Sequence, residues 1–287
     1  MNLKQGMMMG MFALLAVWPA TVVGGNGVEK ESVALCQASA GYGVKTIRLG
    51  DLTVTWIADN ETETMQKRSL FKDASDELMA QLGLQNGVPS SISTFLVEKN
   101  GVKMLFDTGY GNAGSCLLKR MARLHVSPSD IKYLFLTHFH GDHICGMMKG
   151  DSIVFPHAQV YASKLEYDAW MNHMPAERNA RQVKVMTAYK KQLHLFDFGD
   201  TLPEGVVAMD AVGHTPGHTA YRLGKLLVVG DLMHGFALQS LHPQISAAYD
   251  MDKVKAAASR KRLLEYAKKH HLLMAGMHFP APAMIQE

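Results

Sequence analysis

Seven consecutive residues constrain this chain more than any other stretch: Thr137-His138-Phe139-His140-Gly141-Asp142-His143. Four metal-capable side chains crowd in directly after the apolar run Tyr133-Leu134-Phe135-Leu136, which reads as a buried strand. In extended backbone, residues two apart point the same way, so His138 and His140 can grip one cation together. Gly141 lets the chain turn sharply, which allows Asp142 and His143 to face a second cation beside the first. The alternative is a polar strand-to-helix loop that happens to be rich in histidine, and the density of the cluster argues against it.

A chain of 287 residues holds one large domain or two small ones and has ample length for a core. A net charge of +3 is too weak to argue for nucleic acid or an anionic membrane, and no basic run is interleaved with aromatics. The amino terminus stands apart. Lys4 precedes an apolar segment, Met7 to Trp18, followed by Pro19 and small residues through Gly25. This pattern predicts a secretory signal peptide over residues 1–25, and so a periplasmic or extracellular protein. The apolar run is too short to cross a bilayer as a mature helix, so no stable membrane insertion is expected. A buried amino-terminal helix is the other reading. The three cysteines, Cys36, Cys116 and Cys145, make no disulfide framework. Cys145 follows the histidine cluster closely and reads best as a small buried residue at a helix start.

Val44 to Leu49 and Leu52 to Ala58 alternate around Gly50-Asp51, and Ser93 to Glu98 and Val102 to Phe106 flank Asn100-Gly101, so both pairs predict β-hairpins. Asp59 to Val88 is polar and long, with a short helix from Ala74 to Leu82, and is expected to border the active site. Helices are predicted over Ser115 to His125, Lys164 to Met174 with Ser163 as N-cap, Arg178 to Leu193, and Asp252 to His270. Strands are predicted at Gln159 to Ala162, Val206 to Val212, Ala220 to Leu223, Leu226 to Val229 and Leu272 to Ala275. Trp170, Met171, Met174 and Tyr189 form a stripe at helical spacing that reads more readily as core than as pocket; Trp170 is kept as a candidate substrate contact.

Three further segments join the histidine cluster: Gly213-His214-Thr215-Pro216-Gly217-His218, Val229-Gly230-Asp231 and Gly276-Met277-His278. In this order the four resemble the ligand segments of the metallo-β-lactamase fold superfamily, and the resemblance organises residues 44–287. It implies a single α/β domain, a four-layer αββα sandwich with a dinuclear zinc site at one edge. By the family's pattern His138, His140 and His214 hold one zinc ion, Asp142, His143 and His278 hold the other, and Asp231 bridges them. Asp142 and Asp231 are then catalytic carboxylates as well as ligands. Asp107, at a strand end, and His218 would support the ligands from behind, although Asp107 also reads as a turn residue. Zinc lowers the pKa of bound water to about 7, and the hydroxide shared by two such ions would serve as the nucleophile.

Asp231 points away from true β-lactamases of this fold, and His140 stands where diiron relatives carry an acidic residue. The stretch from Gly230 to His234, with the turn Ala275 to Pro280, looks most like the exported lactonase and methyl parathion hydrolase-type branch. Lactonases for acyl-homoserine lactones often carry a tyrosine near the bridging aspartate, where this chain has His234. His234 and Phe236 are candidate substrate contacts. The pocket segments Trp170 to Met174 and His234 to Phe236 contain no arginine, which suits a small, neutral, hydrophobic lactone, ester or phosphotriester. The rivals are a thioesterase of the glyoxalase II type and a metal-bearing binding protein without turnover. Relatives often dimerise, so a homodimer is compatible with the resemblance. They also often continue into a further strand after the last ligand, whereas here Pro280-Ala281-Pro282-Ala283 stands close to the end of the sequence.

Overall fold

The computed structural model describes residues 42–286. The expected signal peptide, and with it Cys36, lies outside the described residues. A seven-stranded sheet runs in the order Val44–Leu49, Leu52–Ala58, Ser93–Lys99, Val102–Phe106, Ile131–Phe135, Gln159–Ser163 and Leu193–Phe196. A five-stranded sheet follows with Val207–Asp210, Thr219–Leu223, Leu226–Gly230, Leu273–Gly276 and Met284–Gln286. Both predicted hairpins form, with Val44 opposite Ile57 and Phe95 opposite Phe106.

The pleat explains the layering. Phe95, Val97, Met104 and Phe106 point to one face of the larger sheet and join a core with Ala208, Ala220, Leu226 and Val228 of the smaller one. Leu96 and Leu105, one residue out of step, point to the opposite face and pack against Leu117, Met121, Val185 and Met186. The last four belong to the helices Leu117–Arg123 and Ala176–Ala188, which form the outer layer on that side. Tyr221 closes the gap between the sheets: its ring lies 5.4 Å from that of Phe135, and its hydroxyl donates to the Leu136 carbonyl at 2.6 Å. Leu263, Leu264 and Ala267 of the helix Lys253–His270 cover the smaller sheet. Asp252 caps that helix through the Lys255 amide, and Lys268, Lys269 and His270 complement the negative end of its dipole. The result is the αββα order that the resemblance implies.

Some local expectations change. The helix expected to run to Leu193 stops at Ala188, because Leu193–Phe196 pairs in parallel with Gln159–Ser163 as the edge strand. The helix after Ser163 is regular only over Lys164–Asp168 and then widens into a π-turn, Ala169–His173. Ser163 makes no side-chain cap bond there. The widening follows from burial: Glu166 turns inward, and Asn179 donates to the Trp170 carbonyl at 2.8 Å, tying the turn to the next helix. A further strand does follow the last histidine turn, since Met284–Gln286 pairs antiparallel with Leu273–Gly276.

Strand direction positions the chemistry. Val102–Phe106, Ile131–Phe135 and Gln159–Ser163 are mutually parallel, as are Leu226–Gly230 and Leu273–Gly276. Asp107, the histidine cluster, Asp231 and His278 therefore all leave the carboxyl ends of parallel strands.

Candidate metal centre

The three chain segments that carry histidines converge. His138 Nε2, His140 Nδ1 and His214 Nε2 lie within 2.9–3.2 Å of one another. Asp142 Oδ2 is 3.3 Å from His278 Nε2 and 3.7 Å from His143 Nε2. Asp231 reaches both groups: Oδ2 is 3.3 Å from His214 Nε2 and 3.2 Å from His278 Nε2, and Oδ1 is 3.1 Å from His143 Nε2. His138, His140, His214 and Asp231 form one set able to hold an ion, and Asp142, His143 and His278 form a second.

The residues present fit metal ions. His143 Nε2 and Asp231 Oδ1 are buried and make no hydrogen bond, which is costly for polar atoms unless a ligand takes them up. Two carboxylates share a largely buried space with six imidazoles, so positive charge is favoured there. Burial opposes charging His278, yet the carboxylates of Asp231 and Asp142 hold its pKa up at about 10. His140, beside His214 rather than at the carboxylates, goes the other way: burial and that neighbour push it down to about 3. Imidazole nitrogen and carboxylate oxygen are the donor set of zinc.

A buried outer layer holds the rings of His143, His214 and His278. Asp107, held in left-handed backbone at φ 58°, accepts from His143 Nδ1 at 2.7 Å and from the Thr137 amide and hydroxyl at 2.8 and 2.6 Å. His278 Nδ1 donates to the Ser91 carbonyl at 2.9 Å. His218 donates from Nδ1 to the Ala211 carbonyl at 2.9 Å and accepts the Asp231 amide on Nε2 at 3.0 Å. His218 thus holds the Asp231 backbone and stays neutral, its pKa pushed down to about 3 by burial. Gly230 is needed beneath it: φ is 54°, and a Cβ there would run into the His218 ring.

Several supports carry no signal in the sequence. Asp250 accepts from His214 Nδ1 at 3.1 Å, while the Arg260 guanidinium and the Ala247 amide, each at 3.1 Å, hold its other oxygen. Glu166 accepts from the Phe139 amide at 2.9 Å, Trp170 Nε1 at 2.7 Å and the Gly217 amide at 2.8 Å, joining the His138–His140 segment to the His214 loop. Asp250 and His214, and Glu166 with Phe139 and Gly217, are far apart in sequence, and Asp250 and Glu166 look like ordinary residues near helix starts.

The centre opens into a cavity of about 500 Å³ whose walls include Thr64, Met65, Gln66, Tyr110, Arg181 and Tyr249. The strand Thr64–Gln66 brings the Asp59–Val88 segment to the border of the site. His234 lines the wall, with Nε2 3.2 Å from Asp231 Oδ2. Trp170 and Phe236 do not line this cavity. The Trp170 indole is turned inward by its bond to Glu166 and packs among core residues, and Phe236 packs against Phe279 with the rings tilted and 4.9 Å apart. The two segments expected to line the pocket contain no arginine, but Arg181 reaches the cavity from the helix Ala176–Ala188.

Comparison with known proteins places this arrangement in a family. Among curated proteins, the putative diflavin flavoprotein A 1 of Thermosynechococcus vestitus is 31% identical over 121 residues, covering 42% of this chain and 20% of that protein. Ribonuclease Z of Nanoarchaeum equitans is 40% identical over 70 residues, covering 23% of this chain and 20% of that protein. The chain thus spans about a fifth of the length of these relatives. Solved structures match more completely. The hydrolase AbOPH of the beta lactamase superfamily is 26% identical with a TM-score of 0.78, covering 86% of this chain and 94% of that one. AidC, a dizinc quorum-quenching lactonase in complex with the product N-hexanoyl-L-homoserine, is 27% identical with a TM-score of 0.76, covering 84% and 92%. The family model for the metallo-beta-lactamase superfamily matches residues 87–278, more than half of the 287. With its sheets, strand-end histidines and shared aspartate in the same order, the chain belongs to the metallo-beta-lactamase superfamily.

Proposed function

We propose that this protein is a metal-dependent hydrolase that opens lactones, with esters and phosphotriesters as further substrates, and that it works with two zinc ions. The observation that carries the reading is Asp231, whose carboxylate lies within 3.1–3.3 Å of histidines from both ligand sets on the floor of an open cavity. The likeness to the hydrolase AbOPH supports a hydrolytic role, and the likeness to the dizinc lactonase AidC supports lactones as substrates.

Two divalent ions held by these sets supply Lewis acidity and a water acidified to near neutrality. The protein's share is preorganisation. Asp107, Asp250 and the Ser91 carbonyl take the Nδ1 protons of His143, His214 and His278, which leaves each Nε2 lone pair facing inward. Tyr110 stands at the wall, where the Asp142 carboxylate and burial push its phenol up to about 12. Met65, Ile92 and Tyr249 give an apolar surface to the rest of the substrate.

Kinetics on the zinc-loaded protein test this. An alkyl or aryl lactone should turn over, an aryl phosphotriester more slowly and a β-lactam little. A glutathione thioester cleaved far faster than every lactone would overturn the lactonase assignment in favour of a thioesterase. Elemental analysis should find close to two zinc ions per chain, and Asp231→Ala should lose both metal and activity. One ion that survives this substitution with activity intact would sink the dinuclear site.

A further inference from the structure

The ligand loop and the helix Ala176–Ala188 meet at a point that the hydrolytic machinery does not use. Gln182 fastens this helix to the loop by donating to the Phe139 carbonyl at 2.8 Å. One residue earlier, Arg181 is exposed and extends over Gly141, between the ligands His140 and Asp142. A Cβ at position 141 would sit 2.6 Å from Arg181 Nη1. Gly141 opens the short helix Gly141–Ile144 without the left-handed backbone that calls for glycine. Its missing side chain therefore serves space, and that space is filled by the guanidinium.

The guanidinium has no anionic partner of its own. Among the described residues, arginine ion pairs are made by Arg68, Arg260 and Arg262, and Arg181 makes none. Its polar neighbour is the Cys145 thiol, a weak partner. The nearby carboxylates, Asp142 and Asp231, are committed to histidines. Arg181 sets a fixed cation at the edge of the floor. A guanidinium presents a planar fork of donors that matches a carboxylate in two parallel hydrogen bonds.

We propose that Arg181 is a specificity residue that binds a carboxylate carried by the substrate away from the scissile bond, and that Gly141 is kept small to let it reach. This deepens the hydrolase reading and rests on it for the turnover part of its test. The preferred substrate is then an acidic lactone or ester whose apolar stretch lies along Met65, Ile92 and Tyr249.

The test uses a γ-lactone with an unbranched alkyl tail, its ω-carboxylate analogue, and the cyclic ether of that analogue, which has no scissile bond. In the zinc-loaded protein the carboxylate lactone should have the higher kcat/KM. Arg181→Met should lower the ratio between the two lactones about tenfold or more, chiefly through KM, as expected for loss of a charge-assisted pair. Arg181→Lys should recover part of it. Calorimetry with the cyclic ether carboxylate should show Kd rising about tenfold or more in Arg181→Met. This readout stands even if neither lactone is hydrolysed, a result that would count against the hydrolase reading alone. Equal binding of the ether by wild type and Arg181→Met, or a lactone ratio unmoved by the substitution, would overturn the assignment of Arg181.

Discussion

Asp250 shows how much of a metal centre is set by a single atom's partners. One of its oxygens faces two donors, Arg260 and the Ala247 amide, and the other faces His214 Nδ1. In Asp250→Asn the amide oxygen must turn toward the two donors, so the NH₂ group meets His214. That favours the tautomer with the proton on Nε2, the atom that must face the metal. We expect zinc affinity to fall about 10–100-fold, the usual effect of losing such a support, measured by competition with a chromophoric chelator. Unchanged affinity would mean that His214 needs no orienting partner. His218, by contrast, acts on Asp231 through its backbone amide and not through its carboxylate.

Glu166 works on the scale of elements, where two ligand loops from different sheets have to share one register. Three N–H donors converge on its carboxylate, from Phe139, Trp170 and Gly217. Glycine is required at 217, because a Cβ there would collide with the Glu166 backbone. A glutamine at 166 necessarily points its NH₂ at one of the three donors and leaves a buried donor unpaired. Glu166→Gln should therefore cost about 1–3 kcal/mol, read as a lower Tm, and should also weaken zinc retention. A variant with wild-type Tm and wild-type zinc content would contradict the coupling. The same inward turn of Glu166 explains why the helix after Ser163 does not run regularly to Met174.

For the whole molecule, the site lies where the carboxyl ends of strands from both sheets meet, so metal binding should stiffen the joint between the sheets. Ions that bind the folded chain alone stabilise it by about 2.7 kcal/mol at a hundredfold excess over Kd. Chelation should then lower the Tm by several degrees, and added zinc should restore it. A Tm indifferent to zinc would show that the donor sets are not occupied at that concentration. The Lys4 and Met7 to Trp18 pattern leads to a separate proposal, export with loss of about 20–25 residues, the scale of a signal peptide. Intact mass measured on protein from the native host would decide it, and a full-length cytoplasmic product would end the proposal.

The sequence by itself carried the histidines and aspartates that the fold brings together and, through its resemblance to a family, the order of the layers. Periodicity marked the hairpins, and the spacing in His138-Phe139-His140 and in Gly213-His214 through His218 was legible because those residues work within their own loops. The residues it could not mark act across long separations. Asp250 reaches His214, Glu166 reaches Gly217, and Arg181 reaches Gly141 only after strands from two sheets have paired and a helix has docked on one of them. Trp170 and Phe236 had the composition of pocket residues, but burial against Glu166 and Phe279 turned them into the core. Local pattern records which side chains a segment offers. Which of them face the cavity is decided by the neighbours that compete for the same buried space, and those neighbours are chosen only when the sheets close.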